Sequence, residues 1–111
     1  MAVRDLRMAL TMTWHEVASV EEILPGSGKN IQVQGKNLAL FNKGGVFLAL
    51  ENTCLHRGGS LGEGTLLGDE VVCPLHGWTY NVSTGEVKHL PGVRTRTYAV
   101  DVKGNSVFVD L

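Results

Sequence analysis

The chain has 111 residues, 43% of them hydrophobic and 19% charged, with a formal net charge of -1; this is the size and balance of one folded domain, not of a disordered segment. Its Lys and Arg are scattered and offset by Asp and Glu, so it lacks the basic field that neutralises nucleic-acid phosphates. No apolar run approaches the roughly 20 residues that span a bilayer, and with two cysteines a single Cys54–Cys73 bridge is the only disulfide possible.

Met1 to Met12 carry Arg4, Asp5 and Arg7 ahead of a very short apolar piece. That falls short of the apolar stretch of about 7–15 residues in a secretory signal, so a loose start, or an upstream initiation site, is expected for a cytoplasmic protein. A first strand is expected over Thr13–Val17. A short helix follows over Ser19–Leu24, where Ser19 can cap and Glu21 and Glu22 suit the first turn before Pro25-Gly26 ends it. Trp14 is expected to pack in the core or on a strand face, and His15 to be a plain surface histidine.

Short β-rich runs separated by glycine continue at Ile31–Val33, Leu38–Phe41, Val46–Leu50, Glu70–Val72, Thr79–Tyr80, Arg96–Val102 and Ser106–Val109. Lys43-Gly44-Gly45 and Lys103-Gly104-Asn105 supply residues tolerant of positive φ between pairs of runs, the chemistry of hairpin loops. The pattern predicts an all-β, antiparallel fold. Between Thr53 and Gly92 the composition shifts: both cysteines, three of the four histidines and eight of the fourteen glycines fall there. Residues 1–111 therefore read as a single domain into which a functional subdomain, about 53–92, is inserted.

Within that segment stand Cys54-Leu55-His56 and Cys73-Pro74-Leu75-His76, with sixteen residues between His56 and Cys73. Two Cys–His pairs can serve one metal site only if each lies on a tight loop. Gly58-Gly59 and Gly62 after the first pair, and Gly77 after the second, allow such loops and a close backbone approach to inorganic sulfide. Zinc is a rival occupant, since sets of two Cys and two His bind it well, but zinc fingers pair Cys with Cys and His with His. A thiol nucleophile with a histidine base leaves the duplicated pair unexplained.

The flanking residues extend the pattern, from Cys54-Leu55-His56-Arg57-Gly58-Gly59-Ser60-Leu61 to Gly64, and from Cys73-Pro74-Leu75-His76-Gly77-Trp78-Thr79-Tyr80 to Ser83-Thr84-Gly85. These resemble the two boxes, Cys-x-His and Cys-x-x-His, of the Rieske iron–sulfur family, in the form found in bacterial ferredoxins and ring-hydroxylating oxygenases. The resemblance covers nearly the whole chain. It implies a Rieske-type antiparallel β-sandwich with an inserted cluster-binding subdomain, and one [2Fe-2S] cluster. It makes Cys54 and Cys73 the ligands of the inner iron and His56 and His76 those of the outer iron. Pro91-Gly92 falls where the family has a loop over the cluster, and Tyr80 matches the family's tyrosine.

The residue types suit the charge of such a centre. Two ferric ions, two sulfides and two thiolates sum to zero when neutral imidazoles replace the other two thiolates, which eases uptake of an electron. The second ring nitrogen of each histidine stays available for a proton or a hydrogen bond. Members from respiratory and photosynthetic complexes carry an additional disulfide, whose positions correspond to Gly59 and Leu75 here, and a serine that bonds to sulfide, whose place Trp78 takes. Without that hydroxyl the expected potential lies in the lower part of the Rieske span, roughly -150 mV up to about zero.

Trp78 is expected to cover the cluster, Leu55, Pro74 and Leu75 to shield it or to meet a partner, and Arg57 to be either a partner contact or a solvated charge. His89 is expected on the plain surface, with Glu63, Asp69 and Glu70 as solvated turn charges. Such a cluster has no open coordination position for a substrate, and the chain has no room for the separate iron domain of an oxygenase. The resemblance therefore implies an electron carrier rather than an enzyme. As a ferredoxin its partners would be a flavin-containing reductase and a terminal oxygenase. The alternatives are the small subunit bound to a large nitrite reductase subunit, a redox sensor using the same site, or a structural zinc domain.

Overall fold

The computed structural model describes residues 13–56, 58–75 and 77–111; the expectations for residues 1–12, and those for Arg57 and His76, lie outside them. In chain order the elements are β1 (Trp14–Ser19), a 3-10 turn (Val20–Glu22), β2 (Ser27–Val33), β3 (Lys36–Lys43), β4 (Val46–Glu51), a second 3-10 turn (Leu61–Glu63), β5 (Thr65–Leu67), β6 (Glu70–Val72), β7 (Thr79–Asn81), β8 (Thr97–Tyr98), β9 (Val100–Lys103) and β10 (Ser106–Asp110). They form three antiparallel sheets, ordered β1-β10-β9, β2-β3-β4-β8 and β5-β6-β7. The all-β reading holds.

The run Leu38-Ala39-Leu40-Phe41 organises these sheets. Side chains alternate along a strand, so four consecutive buried residues mean burial on both faces. Leu38 and Leu40 enter a core with Phe47, Ala49, Val107 and Val109, against the β1-β10-β9 sheet. Ala39 and Phe41 enter a second core with Leu50, Val71, Tyr80 and both cysteines. The hairpin β3-β4 is thus the shared wall between the sandwich and the segment that carries the Cys–His pairs. Burying a side chain such as Phe41 stabilises the fold by about 1.5–3 kcal/mol, so the ligand-bearing segment is anchored by packing as well as by chain connectivity.

Turn chemistry sets the registers. The β3-β4 turn uses Gly44 and Gly45, with φ of 58° and 99°, and the β9-β10 turn uses Gly104, with φ of 60°. The β2-β3 turn places Gln34 as well as Gly35 at positive φ, a conformation that a side chain adopts at some cost, and Gln-Gly gave no strong hairpin signal. The expected helix after β1 is only one 3-10 turn, with the Glu22 carboxylate accepting the Ser19 N–H at 2.9 Å.

Three features differ from expectation for reasons of tertiary structure. The polar first half of β2 is strand because it pairs residue by residue with β3, Gly28 opposite Phe41. A Cβ on Gly28 would come within 2.5 Å of the Phe41 ring, so the missing side chain is what lets the ring lie across the strand. The run Arg96–Val102 breaks at Ala99: β8 pairs with β4 and β9 with β10, so the chain changes sheet. β5 was not expected; it pairs with β6 across a turn at Gly68-Asp69. Of the two places expected for Trp14, it takes the strand and not the core, 37% exposed at the start of β1.

Candidate metal centre

The two Cys–His segments fold into loops of one hydrogen-bond design. In the first, the Cys54 N–H donates to the Gly59 carbonyl at 2.8 Å and the Gly58 N–H to the Cys54 carbonyl at 2.9 Å. In the second, the Cys73 N–H donates to the Trp78 carbonyl at 2.8 Å and the Gly77 N–H to the Cys73 carbonyl at 3.1 Å. Gly58 and Gly77 both have φ of 75°, the turn that glycine makes without steric cost. Each loop begins on a cysteine that is 3% exposed and projects its middle outward. Leu55 and Leu75 are 50% and 58% exposed, and His56 is exposed between them in the chain.

The loops approach each other closely. A Cβ on Gly59 would lie 2.7 Å from Cys73 Sγ and 3.2 Å from Leu75 Cγ, so glycine is what admits the neighbouring thiol. Positions 59 and 75, where the resemblance places a disulfide in other members, face one another here with a glycine and a leucine.

Tyr80, on β7 and fully buried, closes the inner side. Its hydroxyl accepts the Leu55 N–H at 2.9 Å and lies 3.2 Å from Cys54 Sγ. With its lone pair engaged by that amide, the phenol proton is free to point at the sulfur, the arrangement that favours a thiolate there. Burial, and after it the hydrogen bond with Cys54, holds the phenol above its ordinary pKa of 10.0.

Asn52, at the end of the β4 hairpin, fixes the first loop from below. Its Oδ1 accepts the Gly62 N–H at 2.8 Å and the Ser60 hydroxyl at 3.2 Å, and its Nδ2 donates to Ser60 Oγ at 3.0 Å. The Leu61 N–H donates to the Asn52 carbonyl at 2.8 Å. Sequence reading did not single out Asn52, because an asparagine after a strand ordinarily signals only a turn.

The second loop also carries Trp78, whose indole stacks on the His56 imidazole with centroids 4.7 Å apart and planes 7° from parallel. His89, in the segment that includes Pro91-Gly92, meets the same indole edge-on at 4.9 Å and 88°. His89 is therefore exposed but engaged. The Thr79 hydroxyl, next to position 78, donates to the Gly77 carbonyl at 3.2 Å. Asp69 and Glu70 are paired with Lys43 and Lys88 at the surface.

Cys54 and Cys73 lie in the second core, and the exposed His56 stacks on Trp78, which packs against that core. Among the described residues no three His, Cys, Asp or Glu side chains converge on a single metal ion. A binuclear cluster with two thiolates on one iron and two imidazoles on the other does not ask for such a convergence. Buried sulfurs inside, an exposed imidazole outside and a phenol donor at one sulfur fit that group's donor set.

Comparison with known proteins agrees. Residues 13–103 match the Rieske [2Fe-2S] domain family. The chain is 34% identical over 103 residues to the ferredoxin component of the naphthalene 1,2-dioxygenase system of Pseudomonas putida, covering 92% of this chain and 99% of that protein. It is 37% identical over 101 residues to the biphenyl dioxygenase ferredoxin subunit of Pseudomonas sp. strain KKS102, covering 89% and 93%. Its fold superposes, with a TM-score of 0.80 and 37% identity over 87% of this chain and 92% of the other, on a chain from the solved complex of reduced oxygenase and oxidised ferredoxin in carbazole 1,9a-dioxygenase. The paired loops, their two buried cysteines and the match over nearly the whole length together make the chain a member of the Rieske [2Fe-2S] domain family.

Proposed function

We propose that the chain is a Rieske-type ferredoxin that carries single electrons from a flavin-containing reductase to a terminal oxygenase, and is not itself a catalyst. Cys54 and Cys73 bind the inner iron, and His56 and His76 the outer iron, of one [2Fe-2S] cluster. That cluster supplies one-electron uptake and release at a potential in the lower part of the Rieske range. The observation that carries this reading is the pair of matched loops, each starting on a buried cysteine and presenting its middle to solvent.

The chain's own residues do the rest. Tyr80 and the loop amides hold the thiolate side in a dry, hydrogen-bonded setting, and His56 leads outward. Leu55, Pro74 and Leu75, exposed on the same two loops, offer the small contact area that suits a transient redox encounter. Relatives that are ferredoxin components of dioxygenase systems, and the solved oxygenase–ferredoxin complex, support an oxygenase as the acceptor. The nitrite reductase alternative has no such support. The same reading places the carrier in the cytoplasm; among the described residues no helix is long and apolar enough to cross a membrane.

The test is a single-turnover transfer. The protein is reduced with dithionite, freed of reductant without air, and mixed with an aromatic-ring terminal oxygenase. Oxidation of this chain matched by reduction of the oxygenase supports the reading. A loaded protein that stays reduced with oxygenases, yet copurifies with a large sirohaem protein, contradicts it.

A further inference from the structure

Three rings are in contact: the exposed candidate ligand His56, Trp78 stacked upon it, and His89 standing perpendicular to the indole. They come from three separate segments. His56 belongs to the first loop, Trp78 to the second, and His89 to the segment between β7 and β8. An imidazole on an exposed loop turns about two single bonds, and holding it in one orientation costs rotamer freedom. A flat indole 7° from parallel restricts that rotation as no aliphatic side chain would. Trp78 is in turn held at its backbone, where its carbonyl accepts the Cys73 N–H at 2.8 Å, and at its ring by His89, which stands perpendicular to it.

We propose that Trp78 is a positioning residue for His56, a brace carried by one ligand loop and laid across the ligand of the other, and that His89 holds the indole in place. The proposal builds on the reading of His56 as an iron ligand. Its consequence is that one face of this imidazole is closed, so a redox partner meets the ring at its edge or its other face.

The test compares the loaded wild-type protein with Trp78→Leu, Trp78→Phe and His89→Ala. It reads the linewidth of the reduced cluster's electron paramagnetic resonance, which broadens when ligand geometry is spread, and the rate of iron loss to a chelator. Trp78→Leu is expected to broaden the signal and to speed iron loss by about three- to tenfold, the range that one aromatic stack supports. Trp78→Phe, which keeps a flat ring, restores most of both, and His89→Ala shifts both in the same direction by less. His89 is exposed, so that variant reports even if Trp78→Leu does not fold.

A Trp78→Leu protein with wild-type linewidth and lifetime overturns the brace. So does a Trp78→Phe protein no better than Trp78→Leu, which would make bulk rather than a ring the requirement, or a His89→Ala protein indistinguishable from wild type. A wild-type protein with no such resonance overturns instead the ligand reading beneath it.

Discussion

Replacing Tyr80 with Phe removes one atom from the inner side of the site and leaves the ring in its buried place. The hydroxyl lost is the one 3.2 Å from Cys54 Sγ and 2.9 Å from the Leu55 amide. A hydrogen bond to a charged acceptor stabilises by about 1.5–3 kcal/mol and one between neutral groups by about 0.5–1.5 kcal/mol, so an added electron strengthens the phenol's bond by about 1 kcal/mol. For a one-electron couple about 59 mV corresponds to a tenfold change in the equilibrium constant, which makes that difference about 40 mV. Tyr80→Phe should therefore lower the reduction potential by about 40 mV, measured by voltammetry of wild type and variant at one pH. A loaded variant with an unchanged or higher potential would refute the assignment of Tyr80 as a donor to the cluster's sulfur ligand.

Gly59→Ala puts a methyl group 2.7 Å from Cys73 Sγ. Crowding of this kind costs about 1–3 kcal/mol, so iron content and melting temperature of the purified protein should both fall, and an unchanged iron content would deny the close approach of the two loops. Asn52→Ala strips the partner from the buried Gly62 amide; urea unfolding should show a loss of about 1–3 kcal/mol, whereas a near-neutral result would mean that the first loop stands without it. Trp78→Ser is expected to raise the potential if the new hydroxyl reaches sulfide, and a loaded variant with no upward shift would remove the missing hydroxyl as the cause of a low potential. Tyr98 has its pKa raised above 10.0 by burial and then by its hydrogen bond to Glu51. It binds its proton more tightly when folded, so its contribution is complete below about pH 10 and is lost as pH rises through the folded value. Tyr98→Phe should flatten the alkaline fall in stability, and an unaltered fall would place its origin elsewhere.

The parts of this protein that were legible in its sequence are those where residue type alone dictates behaviour. Leu38-Ala39-Leu40-Phe41 read as strand from its apolar run between glycines, and the structure buries it on both faces. Cys54, His56, Cys73 and His76 stood out because thiols and imidazoles are scarce and their order repeats; the structure buries both cysteines in the second core and stacks His56 on Trp78 beside it. What stayed hidden depends on partners distant in the chain. Ser27 to Asn30 became strand through β3, Ala99 became a corner because its two flanks pair with different sheets, and β5 exists because β6 is beside it. Asn52 and His89 look ordinary in one dimension. One acquires its role from amides ten residues on, the other from an indole eleven residues back.

A mixed Cys/His-ligated [2Fe-2S] cluster in this chain is what every redox role above depends on. Electron paramagnetic resonance of the dithionite-reduced protein, purified without air, with iron and zinc analysis of the same sample, tests it most directly. The expected result is a rhombic signal of the Rieske type with about two irons per chain. No such signal, with zinc at about one per chain, would contradict it and make the two loops a structural zinc site.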